Sequence, residues 1–195
     1  VVADLRRGRV EEIWQLDGSA PVVAVVPGSR AGSVDGPTEG PLREVEALWF
    51  ELDGAAQLPV AVAAVPGAST SVAEWLGSQL ASVGSLAATS GATLVDARGV
   101  TAANAYDAVA DLRRIMAPAG VDVVVVSAPT VDPSAIPVIA AVGGVLLVVR
   151  IGASHRSEVE AMVGRIGQER VVGVVVVDRA GSRMGRLRRP RRRSA

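Results

Sequence analysis

Apolar residues in this chain follow two rhythms. Six short runs are almost continuously apolar: VVAVV at 22–26, VAVAAV at 60–65, ATLVD at 92–96, VDVVVVS at 121–127, GVLLVV at 144–149 and VVGVVVV at 171–177. A strand with one wet face alternates, whereas a strand covered on both faces does not, so these runs predict a parallel sheet buried between helices. Between the runs, apolar positions recur every three or four residues. Residues 71–88 place Val72, Trp75, Leu76, Leu80 and Val83 on one helical face, residues 102–117 do so with Tyr106, Val109, Leu112 and Met116, and residues 155–167 with Val159, Met162, Val163 and Ile166. A further helix is expected over 41–52, where Pro41 suits a first turn. The uncharged, strongly apolar run Pro133 to Val149 is shorter than the roughly 20 residues a spanning helix needs. Pro137 and Gly143-Gly144 interrupt it, which predicts a helix, a turn and a buried strand. Strands alternating with helices give an α/β fold, a doubly wound, mostly parallel sheet with helices on both faces and right-handed crossovers.

Residues 28–40, GSRAGSVDGPTEG, have linker composition. The compact domain is therefore placed at 41–179. Residues 1–40 are read as an N-terminal appendage and linker that contributes one strand, and 180–195 as a basic tail expected to be disordered. Charge sharpens this division. The formal net charge is zero, but residues 183–195 hold seven arginines and no acid, leaving 13 arginines against 20 acids elsewhere. The tail has three readings: a solvated end, a segment drawn to anionic inner-leaflet lipid through Arg183–Arg193, or a polyanion binder. No aromatic residue interleaves those arginines, so base stacking on nucleic acid has no support.

Composition also removes chemistry. No cysteine is present, which excludes disulfides, thiolate metal sites and cysteine nucleophiles. The one histidine, His155, excludes a multi-histidine metal centre and has no evident triad partner; it is read as a helix-start residue. All 20 basic residues are arginine, so no step can use a lysine ammonium. Trp14, Trp49 and Trp75 are read as core or interface anchors.

One segment, AAVPGASTSVAEWLG at 63–77, is laid out as strand, glycine loop and helix. A phosphate loop of the form GxxxxGK[ST] has that layout, with backbone N–H groups cradling phosphate, a lysine on the outer phosphates and a hydroxyl on magnesium. Here Gly67 is kept and Ala68, Ser69, Thr70 and Ser71 follow, so the second glycine and the lysine are missing. Taken alone, Ser69, Thr70 or Ser71 reads equally as the helix N-cap. Asp96 ends a predicted strand, where α/β ligands bind, and reads as a ligand contact or as a cap of the following turn.

The order PLREVEALWFEL, PVAVAAVPGASTSVAEWLGSQLA, ATLVDARG, GVDVVVVSAPT, GGVLLVVRIGASHRSEVEAMVGRI and VVGVVVVD resembles the cytoplasmic domain of bacterial tyrosine kinases (BY-kinases) of capsule and exopolysaccharide export, within the deviant-Walker P-loop ATPases. The resemblance spans roughly residues 40–180 and implies a P-loop NTPase-like fold. It also implies a vestigial nucleotide site at Gly67, Ser69, Thr70, Ser71, Asp96, Arg98 and Ser127, with no catalytic or metal-binding residue assigned. The family's second motif is Asp-x-Asp; here Asp96 remains and Arg98 stands in the second position. Its third motif ends a strand in aspartate; here Ser127 stands there and only Pro129 persists. Its oligomerisation helix carries Glu-x-x-Arg-x-x-Arg; here Arg43, Glu46 and Trp49 stand in those positions, so the charge pattern is lost. Trp49 would then face a neighbour or pack internally. The family's tail of tyrosines is replaced by arginine, and the only tyrosine is Tyr106.

The expectation is therefore a non-catalytic BY-kinase-like regulator or scaffold in surface-polysaccharide assembly. It would sit at the inner membrane face, in a longer membrane-anchored chain, with a protein partner or itself and without a cofactor. Two alternatives stand beside it. One is a weak Mg·ATP-binding ATPase or tyrosine kinase surviving on backbone contacts and Arg98; the other is a binder of another anionic small molecule.

Overall fold

A computed structural model describes residues 16, 20–26, 43–87, 92–97, 99–101, 103–116, 123–126 and 135–178. Six strands form one parallel sheet: β1 (Val22–Val26), β2 (Val60–Ala64), β3 (Leu94–Asp96), β4 (Val123–Val126), β5 (Gly144–Arg150) and β6 (Val171–Val177). Their order across the sheet is β1-β6-β5-β2-β4-β3. Among the described residues five helices connect them: α1 (Arg43–Gly54), α2 (Thr70–Ala87), α3 (Ala105–Met116), α4 (Ala135–Val142) and α5 (Arg156–Ile166). Each apolar run became a strand and each three-to-four pattern a helix, with ends moved by up to three residues.

The buried strands explain their own composition. Along β2, Ala61 and Ala63 join one apolar cluster, with residues of α3, α4 and α5, while Val60, Val62 and Ala64 join the other, with residues of α1 and α2. Successive side chains of a strand point to opposite faces, so a strand covered on both sides has no polar position to spare. The expected doubly wound α/β class is what the chain adopts.

Trp49 is 2% exposed and lies in the cluster beneath α1 and α2. Gly84 of α2 makes room for it: a Cβ there would overlap the indole ring. Internal packing is therefore the role of Trp49, and the interface reading is set aside. Tyr106 is the second residue of α3 and 89% exposed, so its apolar spacing did not make it a core position. No described helix is long and apolar enough to cross a membrane.

Candidate functional site

The chain leaves β2 toward the α2 face, whereas the neighbouring strand β5 leads into α5 on the opposite face. Such a divergence at the carboxyl ends of parallel strands is where open α/β sheets hold ligands. Residues 65–69 occupy that point.

Their backbone closes on itself. The Ala68 N–H donates to the Val65 carbonyl at 2.8 Å, with Pro66 and Gly67 between. Proline pre-sets the first central position, and Gly67 has φ +87°, the left-handed value a type II turn requires next. Ser69 then caps α2: its Oγ accepts from the Ser71 N–H at 3.2 Å and lies 2.6 Å from the Ser71 hydroxyl. The Ser69 carbonyl accepts from the Val72 N–H at 3.0 Å. Of the two readings of this serine-threonine run, the cap at Ser69 is thus realised.

An anion-binding loop works by aiming successive N–H groups at one point. Here Pro66 has none, and those of Ala68, Ser71 and Val72 already have acceptors within the turn. Among the described residues, only the Gly67, Ser69 and Thr70 amides of this turn lack an acceptor. Gly67 also backs directly onto the turn after β5. A Cβ on it would overlap the Ala153 carbonyl and lie 2.8 Å from the Ser154 nitrogen.

That second turn, between Arg150 and Ser154, carries the polar interior of this edge. Ser154 is the buried polar side chain among the described residues, with 0% exposure. Its Oγ accepts from the Arg150 N–H at 3.2 Å, and its own N–H donates to the Arg150 carbonyl at 3.0 Å. The next residue, His155, is the N-cap of α5, and its N–H donates to Glu158 Oε2 at 3.0 Å. Its expected place at a helix start is where it lies.

The predicted residues are only partly brought together. Gly67, Ser69, Thr70 and Ser71 share the turn. Asp96 lies two strands away: it pairs in register with Val125 of β4, which pairs with Val62 of β2. At the usual inter-strand spacing that is about 9–10 Å sideways. Asp96 instead lines a small apolar cavity of about 170 Å³ with Val100, Asp111, Leu112 and Ile115. Arg98 and Ser127 lie outside the described residues. Two residues escaped the sequence reading. Ser154 beside His155 is read only as no nucleophile-base pair, although the spacing His155-x-x-Glu158 marks the helix start that follows it. Arg150 is exposed and ends β5 two residues beyond Val148, the partner of Ala64. It is thus a cation level with the turn on the adjacent strand, and the apolar run read at 144–149 stops one residue short of it. No group of three or more His, Asp or Glu side chains placed to hold a metal ion occurs among the described residues.

No family model and no curated protein matches the chain. Solved structures do. The BceF tyrosine kinase domain superposes with a TM-score of 0.63 at 15% identity, over 87% of this chain and 99% of that one. The chimerical protein CapA2B2 superposes with a TM-score of 0.65 at 12% identity, over 86% of this chain and 98% of that one. At such identities the likeness is one of fold, and at that level it bears out the resemblance: this chain has the α/β fold of the BceF tyrosine kinase domain and of CapA2B2.

Proposed function

We propose that the chain is a non-catalytic BY-kinase-like domain that serves surface-polysaccharide biosynthesis or export as a regulator or scaffold, binding a protein partner at the cytoplasmic face of the membrane. The observation that carries this reading is the turn after β2. It keeps the position of a nucleotide cradle but commits the Ala68, Ser71 and Val72 amides to its own carbonyl and serine acceptors, leaving only those of Gly67, Ser69 and Thr70, in a chain that contains no lysine. Phosphoryl transfer is almost wholly positioning plus stabilisation of charge on the transferred group. Without a lysine to reach the outer phosphates, and with Arg98 in the second-motif position and Ser127 in the third, the charges that would do this are lost. The structural likeness to a tyrosine kinase domain supports the setting rather than the activity.

Calorimetric titration of the full chain with Mg·ATP and with Mg·ADP tests the reading. Affinity no tighter than about 1 mM is expected, a binding free energy near −4 kcal/mol. Micromolar affinity would overturn it and favour the weak ATPase or kinase alternative.

A further inference from the structure

The outward face of α1 has an organisation that neither the fold nor the proposed function uses. Val45, Leu48, Trp49 and Leu52 point into the core. With 3.6 residues per turn, Arg43, Ala47, Phe50 and Gly54 fall opposite them, along the middle of the exposed face, with Arg43 at its first turn. Glu44 and Glu51 then run along one flank of that stripe, and Glu46 and Asp53 along the other. Phe50 is 60% exposed at its centre. Among the described residues none of the four carboxylates pairs with a cation.

This arrangement is particular to α1. Its four acids face one arginine, Arg43. In α3, Asp107 and Asp111 are balanced by Arg113 and Arg114, and in α5, Glu158 and Glu160 by Arg156 and Arg165. An aromatic ring between two rows of carboxylates suits a guanidinium: its plane stacks on the ring while its edge donates in pairs to carboxylate oxygens.

We propose that this face is the docking surface for the chain's own arginine-rich end, residues 183–193. That segment supplies seven arginines with Met184 and Leu187 among them and no acid. The described chain ends at Asp178, whose N–H donates to the Val26 carbonyl at 3.0 Å, so the end departs beside β1, the strand on which α1 packs. Seventeen residues follow Asp178. At about 3.3 Å per extended residue they reach some 55 Å, against about 18 Å for the 12-residue helix. Proximity, opposite charge and length all favour α1 over the balanced helices. None of this depends on whether a nucleotide binds.

The natural absence of cysteine makes the test direct. Donor and acceptor dyes are placed on Ala55→Cys and Ala195→Cys in the full chain, and energy transfer is measured from about 20 mM to about 1 M salt, where the screening length falls from tens of ångströms to about 3 Å. Transfer should drop at least twofold across that range. At low salt it should already be low in the variant Glu44→Gln, Glu46→Gln, Glu51→Gln, Asp53→Asn, and intermediate in Phe50→Ala. Salt-independent transfer in the unmutated face overturns the proposal, as does transfer at low salt unchanged by the four-residue variant. Transfer seen only between separately labelled, mixed chains also overturns it, in favour of a second copy. Low transfer at every salt, with binding to phosphatidylserine vesicles that truncation after residue 182 abolishes, assigns the arginines to lipid instead.

Discussion

The turn after β2 and the turn after β5 leave neighbouring parallel strands and touch each other, yet they are built on different terms. The first is exposed at Ser69, Thr70 and Ser71 and is closed by a proline-glycine turn and a serine cap. The second buries its serine completely and uses that hydroxyl to hold the backbone of Arg150. Sequence resemblance draws attention to the first, because its strand-glycine-helix outline is that of a phosphate loop. Packing puts the weight on the second, because a buried polar group must be paired or it costs stability. Where the two meet, at Gly67 against Ala153 and Ser154, the glycine serves contact between protein segments. A glycine in this position is therefore no evidence of a ligand until its neighbours are known.

The sharpest way to break this contrast is Gly67→Ala. The new methyl meets the Ala153 carbonyl, and alanine resists φ +87°. Strain and overpacking together should destabilise the fold by about 2–4 kcal/mol. Urea denaturation would show the midpoint falling by about 1 M or more at unchanged slope. A midpoint shift too small to measure would mean that the two turns are not joined, and that the glycine is free to serve something else.

Next in size is Ser154→Ala. It leaves the Arg150 N–H without its side-chain acceptor in a partly buried place, a loss of about 1 kcal/mol or somewhat more. The effect should appear in the same denaturation curves. Faster hydrogen exchange of the Arg150 amide should accompany it, since that amide loses its acceptor. A neutral outcome would put the second turn on the same footing as the first.

How much of this could be read beforehand follows from range. The strands and helices are local patterns: VAVAAV is apolar at every position because both faces of β2 are covered, and Val72, Leu76, Leu80 and Val83 repeat because one side of α2 is buried. The cap at Ser69 was open to reading for the same reason, being a matter of three adjacent residues. What stayed hidden is non-local. Ser154 looks like any loop serine until β5 and α5 fold around it. Trp49 reads equally as a core or an interface residue until Gly84, 35 positions later, is found beneath its ring. Asp96 joins the glycine-loop site only through the family resemblance, and neither segment by itself shows that the strand order puts β4 between them.

The smallest expected effect separates self-capping from ligand binding most cleanly. In Ser69→Ala the Ser71 N–H loses the Oγ it donates to, and α2 should lose about 1 kcal/mol of support. Ser69→Gly should cost only a few tenths of that, because glycine is itself a fair N-cap with water taking the freed amide. If the serine is a cap and nothing more, alanine should lower the denaturation midpoint more than glycine does. Both substitutions should leave any residual affinity for Mg·ATP or inorganic pyrophosphate unchanged by calorimetry. A cradle in working order would give the reverse pattern: both variants would lose anion affinity to a similar degree while stability barely moved, since the hydroxyl would be serving the phosphate instead of the helix.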